Sequence, residues 1–122
     1  MSKDGAYLNL NKAIVAGRVG NVKIFFSKDG NPIIKFSIAT SKKVKDQQIT
    51  EWHNIIAMGK VAEWNQEKID VGCIVYVEGE IQTNVWKNKE GQEIKDKQIF
   101  AFQITCVTQK EGKPEKKKEE TE

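Results

Sequence analysis

A chain of 122 residues with 39% hydrophobic and 30% charged side chains fits one globular domain, long enough to bury a core without disulfide support. Its formal charge of +3 is too small to name a polyanionic ligand by itself, and the last fourteen residues hold five Lys and five Glu, so the excess lies in residues 1–108. One His and two Cys without a CxxC pair exclude a zinc site and a thioredoxin-like motif, and no apolar run nears the ~20 residues of a membrane helix.

The opening MSKDGAYLNLNK has no signal-peptide core, so a cytoplasmic protein with no membrane partner is expected. Residues 1–10 read as a polar N-terminal arm anchored by Tyr7, Leu8 and Leu10. The run at 11–19 predicts a first strand, continued after a break by 22–26, with Gly17 and Gly20 where a strand coils sharply or another backbone comes close. Asp29-Gly30 ahead of Pro32 predicts a hairpin turn. Over 33–40, Ile34, Phe36 and Ile38 alternate against Lys35, Ser37 and Ala39, the pattern of a half-buried antiparallel strand. The polar stretch 41–49, with Lys42, Lys43 and Lys45, reads as a loop or an extended hairpin tip.

Residues 50–60 (TEWHNIIAMGK) put Trp52, Asn54, Ile56 and Met58 on one strand face and His53 and Ile55 on the other. Gly59 then leads into a helix predicted over 60–68, on which Trp64 is read as an aromatic that caps the core. Residues 73–83 predict a strand with Val75, Val77 and Ile81 opposite Tyr76, Glu78 and Glu80, extended by 84–87 into a second hairpin signal at 88–91. In the return strand over 93–107, Phe100, Phe102, Ile104 and Cys106 alternate against Ala101, Gln103 and Thr105. Cys73 and Cys106, both in apolar runs, read as buried thiols.

The order β-β-β-α-β-β predicts an all-β fold: the five-stranded Greek-key barrel called the OB fold, with one short helix between strands 3 and 4. A small β-sandwich fits the strand count but gives no reason for the helix. Residues 11–108 would form the barrel, and 109–122, which hold no aliphatic residue, a disordered charged tail.

Catalysis has little to stand on. His53 is the sole histidine, with no nucleophile and base spaced around it, and the carboxylates are scattered among lysines without a Gly-rich phosphate loop or a cluster of metal ligands. No enzyme, cofactor or metal is therefore expected. Binding of single strands needs aromatic platforms for the bases and cations along the track. Trp52, Trp86 in its hairpin beside Lys87, and the lysines at 42, 43 and 45 would be neighbours on one side of such a barrel. By pattern alone Trp52 also fits a core filler, whereas Trp86 lies in a polar hairpin with no core to fill.

NKAIVAGRVG, FSIATS, TEWHNIIAMGKVAEW and GCIVYVEGEIQTNVWKNKEGQE, with the spacing between them, resemble the bacterial single-stranded DNA-binding protein family from about residue 11 to 107. TEWH ahead of a GK helix start, together with VYVEGEIQT ahead of a Trp hairpin, carries most of the specificity. The resemblance implies a non-enzymatic OB-fold subunit of a homotetramer that wraps single-stranded DNA in replication, recombination and repair. It implies base stacking by Trp52 and Trp86 and a basic contact at Lys60. Met58 stands where the family often stacks a Phe, and Val44 where it commonly has another Trp. His53 and Tyr76 match subunit-contact positions.

On this reading Asn54 and Met58 face the nucleic acid with Trp52, while Lys60, Lys87, Lys43 and Arg18 contact phosphates. The family's acidic tip with a terminal apolar pair docks replication and repair proteins; the final Lys118 to Glu122 stretch is acidic but short and without an apolar pair, so docking of those partners is expected to differ here. The alternative from another class is an oligomeric OB-fold adaptor, primosome-like, whose main ligand is protein.

Overall fold

In the computed structural model, which describes residues 8–108, the chain runs through β1 (Ala13–Phe26), β2 (Pro32–Val44), β3 (Gln47–Met58), α1 (Gly59–Asn65), β4 (Ile74–Lys87) and β5 (Glu93–Thr108). The strands close into a barrel in the order β1-β2-β3-β5-β4, antiparallel except for a short parallel contact of β3 with β5 at Ile55↔Ile99 and Ile56↔Phe100. This is the all-β OB barrel with one short helix between the third and fourth strands. The predicted arm lies mostly outside the described residues and the predicted tail at 109–122 wholly so.

Hairpin chemistry sets the register. Gly30 takes φ 86° in the β1–β2 turn, where its N–H donates to the Ser27 carbonyl. Between β2 and β3 the turn is only Lys45 and Asp46, both at positive φ (50° and 70°), which is the two-residue geometry that matches strand twist. The stretch 41–49 is therefore paired strand out to Val44↔Gln47, the hairpin rather than the loop.

Alternation fills the core: Val19, Ile34, Ile38, Ile55, Val75 and Val77 are fully buried. Gly17 lets β1 cross β2 closely, since a Cβ there would overlap the Ala39 carbonyl oxygen. Along β5 the predicted alternation breaks. Ala101 pairs with Gly79 and Gln103 with Glu78, so Phe102 is an extra, bulged residue and the phase of the strand reverses around it. Ile99 and Ala101 point inward before the bulge and Ile104 after it, while Phe102 stays outside, 55% exposed.

Three further expectations are corrected. Trp64 does not cap the core: it is 64% exposed, because the buried stripe of α1 runs through Ala62 and Asn65, and a residue two positions from Ala62 lies about 200° round the helix. Leu8 and Leu10 are not anchors but exposed; just ahead of β1 the Asn11 side-chain amide donates to the Ile81 carbonyl and accepts from the Ile81 N–H, each at 2.9 Å. Ile81 lies two residues past the last β1–β4 pair, Ala13↔Gly79, and is half-exposed. Cys73 is buried and Cys106 half-buried, and both thiols donate to the Lys68 carbonyl.

Candidate nucleic-acid interface

Directly paired residues share a sheet face, so the register defines the outer surface row by row. Across β3, β2 and β1 the rows are Asn54–Ser37, Ile56–Lys35–Lys23 and Met58–Ile33–Phe25. Trp52 opposite Ala39, and Gln48 opposite Lys43, continue this face toward the β2–β3 tip. Trp52, Asn54, Met58 and Lys43 thus look outward together, with Trp52 57% exposed. Trp52 is therefore not a core filler.

The indole of Trp52 is seated. It lies against Gly20, where a Cβ would overlap Cζ3 and stand 2.7 Å from Cη2, and Ser37 beneath is almost covered while donating to Asn21 Oδ1 at 3.2 Å. Gly20 thus makes room for a ring rather than for a backbone. Gly20→Ala is expected to lift the ring and weaken oligo-dT binding by about 1 kcal/mol, the low end of one stacking contact. Titration of labelled oligo-dT into the variant measures it, and unchanged affinity would mean that the seat does not orient the ring.

The second wall is the β4–β5 ribbon. Trp86 pairs with Ile94 and is 45% exposed, and its Nε1 donates to Asp96 Oδ2 at 3.1 Å, which fixes the plane of the ring. Asn84, Asp96 and Gln98, on the same ribbon face as Trp86, line a groove whose other side is Lys23, Lys35 and Asn54. Trp86 thus adjoins this groove through Asp96, and Trp52 adjoins it through Asn54, two residues further along the same face of β3.

Not every predicted cation joins them. Lys87 follows Trp86 directly and so lies on the opposite ribbon face, and Arg18, although it pairs with Ala39 in the row of Trp52, donates from Nη1 to the Gly72 carbonyl at 2.9 Å, toward the start of β4. Lys60 is exposed in the first turn of α1, just past Met58. Lys23 and Lys35, the pair on the groove floor, were missed. Their signal was present: Lys35 alternates onto the face of Ser37 and Ala39, and the Asp29-Gly30 turn sets Lys23 opposite it. Lys12 and Glu78 form an ion pair at 3.9 Å, and neither groove lysine pairs with a carboxylate among the described residues. No group of three or more His, Cys, Asp and Glu able to hold a metal occurs among the described residues, and no helix there is long and apolar enough to cross a membrane.

Of the two predicted subunit contacts, Tyr76 lies on a separate outer surface, which His53 does not share. Tyr76 stands beside Ala16 on the outer face of β1 and β4, and its hydroxyl donates to Glu78 Oε2 at 2.6 Å. That hydrogen bond, with some burial and the carboxylate charge, raises the phenol above its ordinary value. Ile14 and Phe102 are more than half exposed, and Phe102 meets Phe100 edge to face at 5.9 Å. His53 is half-buried on the face opposite Trp52, its Nε2 2.9 Å from Thr40 Oγ1.

Comparison with known proteins agrees with this geometry. A model of the single-strand binding protein family matches residues 10–107. Single-stranded DNA-binding protein 1 of Chlorobaculum tepidum is 38% identical over 105 residues, which cover 80% of this chain and 62% of that protein, so the chain spans less than two thirds of that relative's length. In shape the chain is similar to the Plasmodium falciparum SSB solved in complex with ssDNA, with a TM-score of 0.71 at 24% identity over 84% of this chain and 96% of that one. That last likeness is one of fold.

Proposed function

Since the chain belongs to the single-strand binding protein family, we propose that it binds single-stranded DNA without catalysis, stacking bases on Trp52 and Trp86 and neutralising phosphates with lysines. The observation that carries this reading is the groove itself. Its lining holds Lys23 and Lys35, which pair with no carboxylate among the described residues, and two exposed, oriented indoles adjoin it, Trp86 through Asp96 and Trp52 through Asn54. A stacked base gains contact without sequence readout, which suits protection of exposed strands in replication, recombination and repair.

Lys43 extends the basic track at the β2–β3 tip and Lys60 at the far end of β3. Asn54 offers its amide to the backbone or to a base edge. The exposed apolar face around Ile14, Phe102 and Tyr76 supports assembly of copies of this chain, with a homotetramer as the reading the family favours. His53 belongs to that contact set, and the protein's place is the cytoplasm, on DNA.

Titration with oligo-dT at low salt tests the reading. Tryptophan emission is expected to fall strongly and to recover as salt is added. An emission that does not change at low salt would contradict it.

A further inference from the structure

We infer that Phe25 supplies a third stacking platform, at the end of the groove far from Trp52. The inference deepens the single-strand reading above and rests on it. Met58 is the side chain in this region that the 50–60 stretch aims at the ligand, but a thioether gives a base much less face than an aromatic ring. The register places an aromatic in the same row. Met58 pairs with Ile33, and Ile33 with Phe25, so the three share the outer face that carries Trp52 and Asn54.

The distances suit a continuous track. Trp52 and Met58 are six residues apart on one strand, or about 20 Å. Phe25 stands two strands over from Met58, about 10 Å away. Between the two ends lie Lys23 and Lys35, side by side in register. Phe25 is 45% exposed, and Lys35 Nζ stands 6.0 Å from the centroid of its ring. Aromatic face and phosphate-seeking ammonium are thus presented together.

The neighbouring Phe26 supplies a control within the molecule. It is more exposed, at 63%, but strand alternation and its pairing with Pro32 put it on the opposite face of the β1–β2 hairpin. General apolar stickiness of the hairpin would make the two phenylalanines equivalent. Stacking in the groove makes only Phe25 matter.

The test compares Phe25→Leu, Phe25→Trp and Phe26→Leu in the full chain, by anisotropy of a labelled dT oligomer long enough to span the groove. Leucine keeps the apolar bulk and removes the ring face. Phe25→Leu is expected to raise Kd about fivefold or more, Phe25→Trp to restore native affinity or better, and Phe26→Leu to leave it unchanged. The dependence on salt should stay the same in Phe25→Leu, because no charge is altered; a changed slope would show that the ring merely positions Lys35. Equal affinities for Phe25→Leu, Phe26→Leu and the native chain would overturn the inference while leaving the single-strand reading intact. Absence of dT binding by the native chain would overturn both.

Discussion

Replacement of both Trp52 and Trp86 by alanine is expected to weaken oligo-dT binding by about 2–6 kcal/mol, two platforms at about 1–3 kcal/mol each. The two rings sit on separate elements and are held by different neighbours, Gly20 for one and Asp96 for the other, so their losses should nearly add. Each indole is about half exposed and neither belongs to the buried core, so the double variant should melt close to the native temperature. Anisotropy titration measures the affinity and circular dichroism the fold. A folded double variant that binds within threefold of the native chain would place the stacking elsewhere.

The second large effect is electrostatic. For single strands log K falls with log salt by about 0.7 per phosphate neutralised, so a groove meeting four phosphates loses roughly fiftyfold between 50 and 200 mM salt. Lys23 and Lys35 are opposite each other on the groove floor and have no acidic partner among the described residues. Changing both to glutamine should flatten the slope by about 1.4. Arg18→Gln should leave it nearly unchanged, because the guanidinium is turned to the Gly72 carbonyl. An unaltered slope in the lysine variant would remove those two residues from the phosphate track.

Much of this was legible in the chain. Alternation at 33–40 and 50–58, with Asp29-Gly30 between strands, carried the strand order and put Trp52 on the outer face, because period-2 patterning and turn chemistry are local. What local pattern could not carry was pairing. The bulge at Phe102 reverses the inward face of β5, and nothing in the run of alternating apolar residues around it signals the extra residue. Lys23 and Lys35 become one feature only when β1 lies against β2, and Lys87 leaves the groove side only when the β4–β5 ribbon fixes the face of Trp86. Trp64 misled because a helix as short as α1 buries a narrow stripe, through Ala62 and Asn65, and an apolar residue off that stripe has no core to meet.

The same registers bear on the proposed role of Met58, whose thioether offers a base less face than a flat ring. Sheet neighbours, not sequence neighbours, decide what surrounds Met58, and β1 brings Phe25 into its row. On the proposed reading the outer face then carries Trp52 toward one end and Met58 and Phe25 toward the other, with Lys23 and Lys35 between.

Stacking requires free base faces, so competition between single and double strands probes the central claim most directly. A labelled dT oligomer bound to the protein is challenged with unlabelled dT of the same length, or with that strand annealed to its dA complement. The groove predicts that the single strand displaces the label at stoichiometric concentration, while the duplex needs a far higher concentration and acts only at low salt. Equal displacement by the two would mean that the protein reads phosphate charge alone, and would contradict a site built on Trp52 and Trp86.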